Sequence, residues 1–356
     1  MHTATPPSFR YRLAGLDVAR ALAVIGMVMV HVGPTEPKDV ATQLYTLTNG
    51  RASVLFVLLA GIGVAFLADV RGATPARTVV DLVWRALVLL PLGLALQAVV
   101  TAQYVILPTY AALFVIAIAT LHLPTRVLPG IVAIGAIAGP LVFLVGRVRA
   151  PDVFDRGPLL PGEPAGEIVH GLLLSGPYPI VVWLVPFLLG LWLGRRDLRA
   201  AAVHTRLIVG GASVAVAATG LAALLQAHYG DPGFTPSWEL IISARPHSQM
   251  PLWLATSGGV AVAVVGLCLA LTASGRGRPG PLAALGRTAL TFYVLHLLVI
   301  AVWPEHFMDE RVLPALAMTA GLSGAGMAGA LVWLRHFRQG PLEAVLRGPR
   351  QWHRPQ

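Results

Sequence analysis

The residues best suited to chemistry are a few ionisable groups set inside apolar runs. In RLAGLDVARALAVIGMVMVH, residues 12–31, an apolar stretch carries Asp17, Arg20 and His31. Asp17 and Arg20 are three residues apart, so a helix places them on one face, where they can pair as a structural ion pair. A guanidinium such as Arg20 can also fork onto a phosphate. His31 lies fourteen residues beyond Asp17, roughly 21 Å along a helix, most of the way across a hydrocarbon core of about 30 Å. Histidine titrates near neutrality and is the commonest general base, so His31 could deprotonate a hydroxyl or amine. An inert, hydrogen-bonded histidine at a helix end is the plain alternative. His296 lies near the middle of another apolar run, GRTALTFYVLHLLV, where a histidine needs a partner or a water-filled cavity. Tyr293 shares its face, and Arg287 at the start of the run could meet an anion or serve only as a topology charge. Asn49 and Arg51 stand at the head of a further apolar run, and Arg245 and His247 (ARPHSQMP) precede another. Arg51 or His247 could orient an acceptor or stabilise an oxyanion. An arginine that merely snorkels and a solvated loop histidine are the ordinary readings.

These groups need elements to hold them. Of the 356 residues, 56% are hydrophobic and only 12% charged, with mean hydropathy +0.73. Soluble domains carry about 25% charged residues. The chain therefore reads as an all-α polytopic membrane protein, one integral-membrane domain over residues 1–356. Apolar runs of spanning length fall at roughly 14–32, 52–70, 82–101, 104–121, 128–146, 178–194, 204–226, 251–273, 286–303 and 311–334, which predicts about ten transmembrane helices. With the first residue placed in the cytoplasm, alternation puts 18 basic residues in inner segments and seven in outer ones, leaving Arg20 within a span; together these make the 26 of the sequence. That bias obeys the positive-inside rule and predicts both termini in the cytoplasm. His31, Asn49, Arg51, Arg245 and His247 then face outward, and Asp17, Arg20 and Arg287 inward. The run Val18–Val30 has the apolar core of a signal peptide, but Asp17 and Arg20 interrupt its start and no small-residue cleavage site precedes Pro34, so it is read as a retained span.

The net charge of +10 is dispersed between spans rather than gathered with aromatics, which directs it to lipid headgroups and not to nucleic acid. Cys268 is the single cysteine, so no internal disulfide or paired-cysteine metal site exists. P-loop, zinc-protease and serine-hydrolase signatures are absent, which argues against an ATP-driven pump, a zinc protease and a serine hydrolase. The 25 arginines against one lysine, Lys38, with abundant Ala, Gly and Val, match a GC-rich bacterial genome and place the protein in a bacterial cytoplasmic membrane.

The arginine, D-x-x-R-A-L-A and terminal histidine of the first run resemble the transmembrane acyltransferase superfamily. NGRASVLFVLLAGIG, GPYPIVVWLVPFLLGLWLGR, RPHSQMPLWLATSGGVAVAVVGLCL, LGRTALTFYVLH and GPLEAVLR, in this order, resemble the bacterial branch of its heparan-α-glucosaminide N-acetyltransferase-like proteins, and more distantly the acyltransferase type 3 proteins. The resemblance implies transfer of an acyl group, acetyl in the first instance, from cytosolic acyl-coenzyme A to a hydroxyl or amine of an acceptor on the far side, a glycan, glycolipid or small molecule. It implies acyl-CoA as co-substrate without a metal. His31 matches the catalytic histidine of the type 3 proteins. The glucosaminide branch has its working histidine between the first two core helices, and here no histidine lies between His31 and Arg51; either His31 serves or the chemistry is altered. His296 matches a histidine of that branch, and Asn49 and Arg51 fall at its W-N-G segment, without the tryptophan. The expected site is thus His31, Arg51 and His296 as catalytic, Arg20 and Arg287 on the donor, and Asn49, Arg245 and His247 on the acceptor. Direct transfer with His31 as base and an acyl-histidine intermediate both remain open. The rivals are a transporter or flippase of a small anion or lipid, lowered by the lack of an internal repeat, and a membrane scaffold. Partners expected are membrane lipids, the acceptor, and a second copy of the chain in a homodimer.

Overall fold

A computed structural model describes residues 12–69, 74–154, 156–273, 280–307 and 310–348. Every regular element among them is helical. In chain order these are α1 (Ala14–Val32), α2 (Val40–Tyr45), α3 (Arg51–Ala68), α4 (Pro75–Val99), α5 (Leu107–Thr120), α6 (Leu128–Arg149), α7 (Pro151–Phe154), α8 (Ala165–His170), α9 (Ile180–Gly194), α10 (Ala201–Tyr229), α11 (Pro251–Ala273), α12 (Gly280–Arg287), α13 (Ala289–Val302), α14 (Pro304–Phe307), α15 (Val312–His336) and α16 (Pro341–Leu346). In hydrocarbon each backbone polar group must be satisfied within its own segment, which is why apolar runs of this length become helices.

Each of the ten expected spans contains helix among the described residues, but they are not equivalent. Seven helices are long and apolar enough to cross a membrane, and two bent pairs raise the number to nine. One pair joins α8 and its following turn to α9 with a bend of 62°, and the other joins α12 to α13 with a bend of 83°. The tenth segment, α5, has only 14 residues. That is roughly 21 Å of helix, short of a hydrocarbon core of about 30 Å. The connection before it, residues 100–106, is ordered by one buried side chain. Gln97 donates to the carbonyls of Val100 and Gln103 at 2.7 and 3.0 Å and accepts from the Val105 amide at 2.7 Å. The topology charges Arg10, Arg71, Arg276, Arg278, Arg350 and Arg354 and the acidic loop residue Asp155 lie outside the described residues.

The helix that carries Asp17, Arg20 and His31 is central. α1 packs against α3, α11, α12, α13 and α15. Its neighbour α3 is as deeply enclosed, whereas α4, α6, α10 and α15 turn most of their surface outward. Their outward residues are large and apolar, with Ile134, Val216, Leu224 and Leu313 each at least 70% exposed, as a lipid-facing surface requires. Small residues set the closest crossings. A Cβ on Gly190 of α9 would lie 1.9 Å from the Leu58 carbonyl oxygen of α3, and one on Gly286 of α12 would lie 1.7 Å from that of Asp17. Backbones in such contact accept only glycine. Gly190 and Gly194 stand four residues apart, the spacing of small residues at close membrane-helix crossings. Gly321 and Gly329 of α15, which carry the same spacing through Ala325, meet nothing within 4 Å.

Candidate functional site

One end of the bundle brings the two membrane histidines together. His31 is the penultimate residue of α1, and His296 lies midway along α13. His31 Nδ1 is 3.0 Å from His296 Nε2, with the rings 8° from parallel. His296 Nδ1 is 3.2 Å from the carbonyl oxygen of Phe292. A carbonyl can only accept, so the network assigns the proton of His296 to Nδ1 and leaves a lone pair on Nε2. His31 Nδ1 must then donate, and His31 Nε2 keeps its own lone pair. That nitrogen has no protein partner among the described residues. His296 is buried and His31 only partly so, which places the free nitrogen on the more open member.

The expected acceptor residues sit at this same end but are engaged differently. Asn49 is buried; its Nδ2 donates to the Thr35 carbonyl at 3.2 Å, and its Oδ1 has no partner. Gly50 follows with φ +71°, a left-handed conformation, and a Cβ there would meet Trp253 Nε1 at 2.9 Å and the His247 amide at 3.4 Å. Asn49, His247 and Trp253 are therefore neighbours. His247 has φ +57°, and its ring packs against Trp183, Trp253 and Tyr178 with centroids 5.7–6.0 Å apart. Burial among these aromatics disfavours the charged form and holds the His247 imidazole down at about 4. Gln249 anchors the segment by accepting from Trp183 Nε1 at 2.9 Å and donating to the Pro177 carbonyl at 3.1 Å. Arg51 turns back to the Leu47 carbonyl at 2.8 Å. Arg245 is tied into an ion pair with Asp231, which holds that carboxyl below its usual range, and lies 5.2 Å from the Phe234 ring centre.

The other end of the bundle opens into a cavity of about 1220 Å³. Its walls carry eight arginines, at 12, 20, 85, 195, 196, 199, 287 and 347, against four acids, Asp17, Asp69, Asp197 and Glu343. The balance is four positive charges, the electrostatics of an anion site. Asp17 is buried and organises one wall: it accepts from Arg20 at 2.7 Å and from Arg12 at 2.5 and 2.8 Å. The expected pair is thus a triad, with Arg12 as its third member. Arg195 closes α5 by donating to the carbonyls of Leu121 and Leu123 at 2.9 and 2.6 Å, the favoured place for a cation at a helix C-terminus. Arg85 and Arg287 each keep a buried Nε without a partner. The carboxylate of Glu343 in α16 caps α13 at the break, accepting from the amides of Leu290 and Thr291 and from the Thr291 hydroxyl at 2.7, 3.2 and 2.6 Å. From the basic mouth the wall turns apolar through Leu59, Phe114, Leu107, Tyr110 and Phe56.

The structure joins His31 with His296, gathers Asn49 and His247 on that side, and places Arg20 and Arg287 in the cavity. Arg51 and Arg245 are held by local partners. Sequence reasoning missed Tyr110 and counted Arg12 and Arg85 only among the inner basic residues. A signal existed for Arg85, one charge a turn inside an apolar run, whereas the position of Tyr110 is set by tertiary packing alone.

Residues 12–224 match the family described as heparan-alpha-glucosaminide N-acetyltransferase, catalytic, and residues 193–351 match that described as protein of unknown function DUF418. No curated protein matches the chain. The first match covers more than half of the sequence and contains α1 with His31, α3 and the arginine wall up to Arg199. The chain belongs to the heparan-alpha-glucosaminide N-acetyltransferase family.

Proposed function

We propose that the protein transfers a short acyl group from acyl-coenzyme A, bound in the arginine-lined cavity from the cytoplasmic side, to a hydroxyl or amine of an extracytoplasmic acceptor, with His31 as general base. The carrying observation is the free Nε2 of His31, oriented by His296, at the opposite end of the bundle from a cavity with eight arginines. The donor set fits the substrate. Arginine forks match phosphate oxygens, and the unpartnered Nε atoms of Arg85 and Arg287 offer two more donors. Above the arginines the apolar wall suits the uncharged arm and acyl group.

In this reading the acceptor oxygen or nitrogen attacks the thioester carbonyl carbon while His31 Nε2 takes its proton. The carbon–sulfur bond breaks, and the departing thiolate recovers that proton from His31. His296 stabilises the imidazolium of His31 by accepting the hydrogen bond from its Nδ1–H at Nε2. Asn49 and His247 flank the acceptor. The ten-span count with both termini in the cytoplasm belongs to the same proposal, with α5 as the short tenth segment. The test is thiol release from acetyl-CoA by the purified full-length protein with a glycan or amine acceptor. His31→Ala should lose turnover by about 10²-fold or more while remaining folded. Undiminished turnover in that variant, or binding of acyl-CoA without any transfer, overturns the proposal, the second result in favour of a transporter or scaffold.

A further inference from the structure

The cavity stops one aromatic layer short of the histidine pair. Phe56 of α3 and Tyr110 of α5 line its inner end, while Tyr293, His296 and His31 do not. Phe56 lies between the two compartments: its ring centre is 5.5 Å from that of Tyr110 and 6.3 Å from that of Tyr293. The Tyr293 ring is in turn 5.5 Å from His296 and meets it edge-on at 68°. Each ring comes from a different helix, and Tyr293 is pinned because its hydroxyl accepts from the Ile106 amide at 3.3 Å. Rings at these separations are in van der Waals contact, so no chain of carbons passes between them at rest.

A hydrophobic plug would need no hydroxyl at Tyr110. That residue is only 6% exposed, and its hydroxyl is buried without a partner on the cavity wall. Buried polar groups are almost always hydrogen-bonded, so this one is short of a ligand. A phenol there can donate to a carbonyl on the donor's arm. From Phe56 to Asp69, both on the wall, α3 runs thirteen residues, which at 1.5 Å each gives a cavity roughly 20 Å deep with the arginines at its mouth.

We infer that Phe56, Tyr110 and Tyr293 form a gate that selects short acyl groups, with the Tyr110 hydroxyl anchoring the thioester arm beneath it. The inference rests on the proposed transfer from acyl-CoA. Phe56 has no polar tie and is the ring that swings; Tyr293 and Tyr110 are the posts. A two-carbon group passes as Phe56 turns, whereas a longer chain must keep the rings apart along its length. These are specificity and positioning residues, since the base is His31.

The experiment compares acetyl-, butyryl- and octanoyl-CoA as donors to the full-length protein, reading thiol release. The wild type should prefer acetyl to butyryl by at least about tenfold, in the range one or two methylenes impose on a closed pocket. Phe56→Ala should shift that ratio toward butyryl by about tenfold. Tyr110→Phe should raise the KM for acetyl-CoA several-fold and leave both kcat and the chain-length ratio unchanged. Phe56→Leu keeps most of the packing volume without the broad ring and should shift the ratio in the same direction, which covers failure of the alanine variant to fold. Turnover with an unchanged ratio in both Phe56 variants overturns the gate alone. No release from any donor by the wild type overturns the transfer reading and the gate with it.

Discussion

His31 and His296 stand 265 residues apart in sequence and share one proton at 3.0 Å. The Phe292 carbonyl decides which nitrogen holds it, so in the proposed transfer His296 acts through tautomer and orientation rather than on the acceptor. His296→Ala should therefore lower kcat by about 10²-fold with the KM for the acyl donor unchanged, measured as thiol release under saturating acceptor. His296→Gln, whose amide can accept from Nδ1 of His31, should recover part of the loss. At His247 the relevant quantity is stability. Its folded-state value of about 4 lies below the ordinary 6.5, so the unfolded chain takes up the proton first. Its contribution is complete above about pH 6.5 and disappears as the pH falls toward 4, a loss on the order of 2 kcal/mol given its partly exposed edge. Thermal unfolding of the detergent-solubilised protein at pH 7 and pH 5 checks this. The wild type should lose melting temperature on acidification, and His247→Gln should lose less.

At the scale of elements, the break between α12 and α13 explains how a polar mouth is built beneath an apolar helix. The 83° bend frees the first amides of α13, and Glu343 of α16 supplies their acceptors. The same short helix holds Trp84 of α4 through the Val345 carbonyl at 2.8 Å, while Arg287 donates to the Arg338 carbonyl at 2.6 Å. Glu343→Ala removes that cap and should cost about 1–2 kcal/mol, visible as a lower melting temperature. It should also raise the KM for the acyl donor, since Arg287 ends the helix before the capped break and Arg347 follows directly on α16. Gly286→Ala is a harsher case, because its Cβ would meet backbone that cannot turn aside. It should cost about 3 kcal/mol or more, or prevent folding, measured as yield and melting temperature. The helices themselves were legible, because runs of some twenty apolar residues have one stable form in lipid. The kink at Thr288, the shortness of α5 and the capping role of α16 were not. The cap of α13 depends on Glu343, 53 residues from Leu290, and the entry to α5 on side-chain hydrogen bonds of Gln97 that no periodicity announces.

At the scale of the whole molecule, the two ends differ in chemistry as the charge pattern of the sequence implied. Asp17, Arg20 and Arg287, expected on the inner side, line one cavity, and His31, Asn49 and His247, expected outside, gather at the other end. The pairing of His31 with His296 could not be read from either run alone, since periodicity gives the face of a helix but not the helix opposite. Arg12 likewise looked like a flanking topology charge, yet it completes the carboxylate triad of Asp17. This polarity has a consequence that separates a transferase from a soluble-type enzyme buried in lipid. In the proposed transfer, donor and acceptor are supplied from opposite faces. In sealed vesicles, cysteines placed singly at Thr35 and at Asp197, in a Cys268→Ala background, should react with an impermeant maleimide on opposite sides. With the donor added only to the face that exposes position 197, acetyl transfer to an acceptor trapped on the other side should proceed. The reverse arrangement should give none. Raising the salt from about 50 to 500 mM shortens the screening length about threefold, so it should raise the donor KM more than the acceptor KM, because the eight cavity arginines lie at the donor end. Transfer with both substrates on the same face would contradict the two-ended arrangement, whatever the rate.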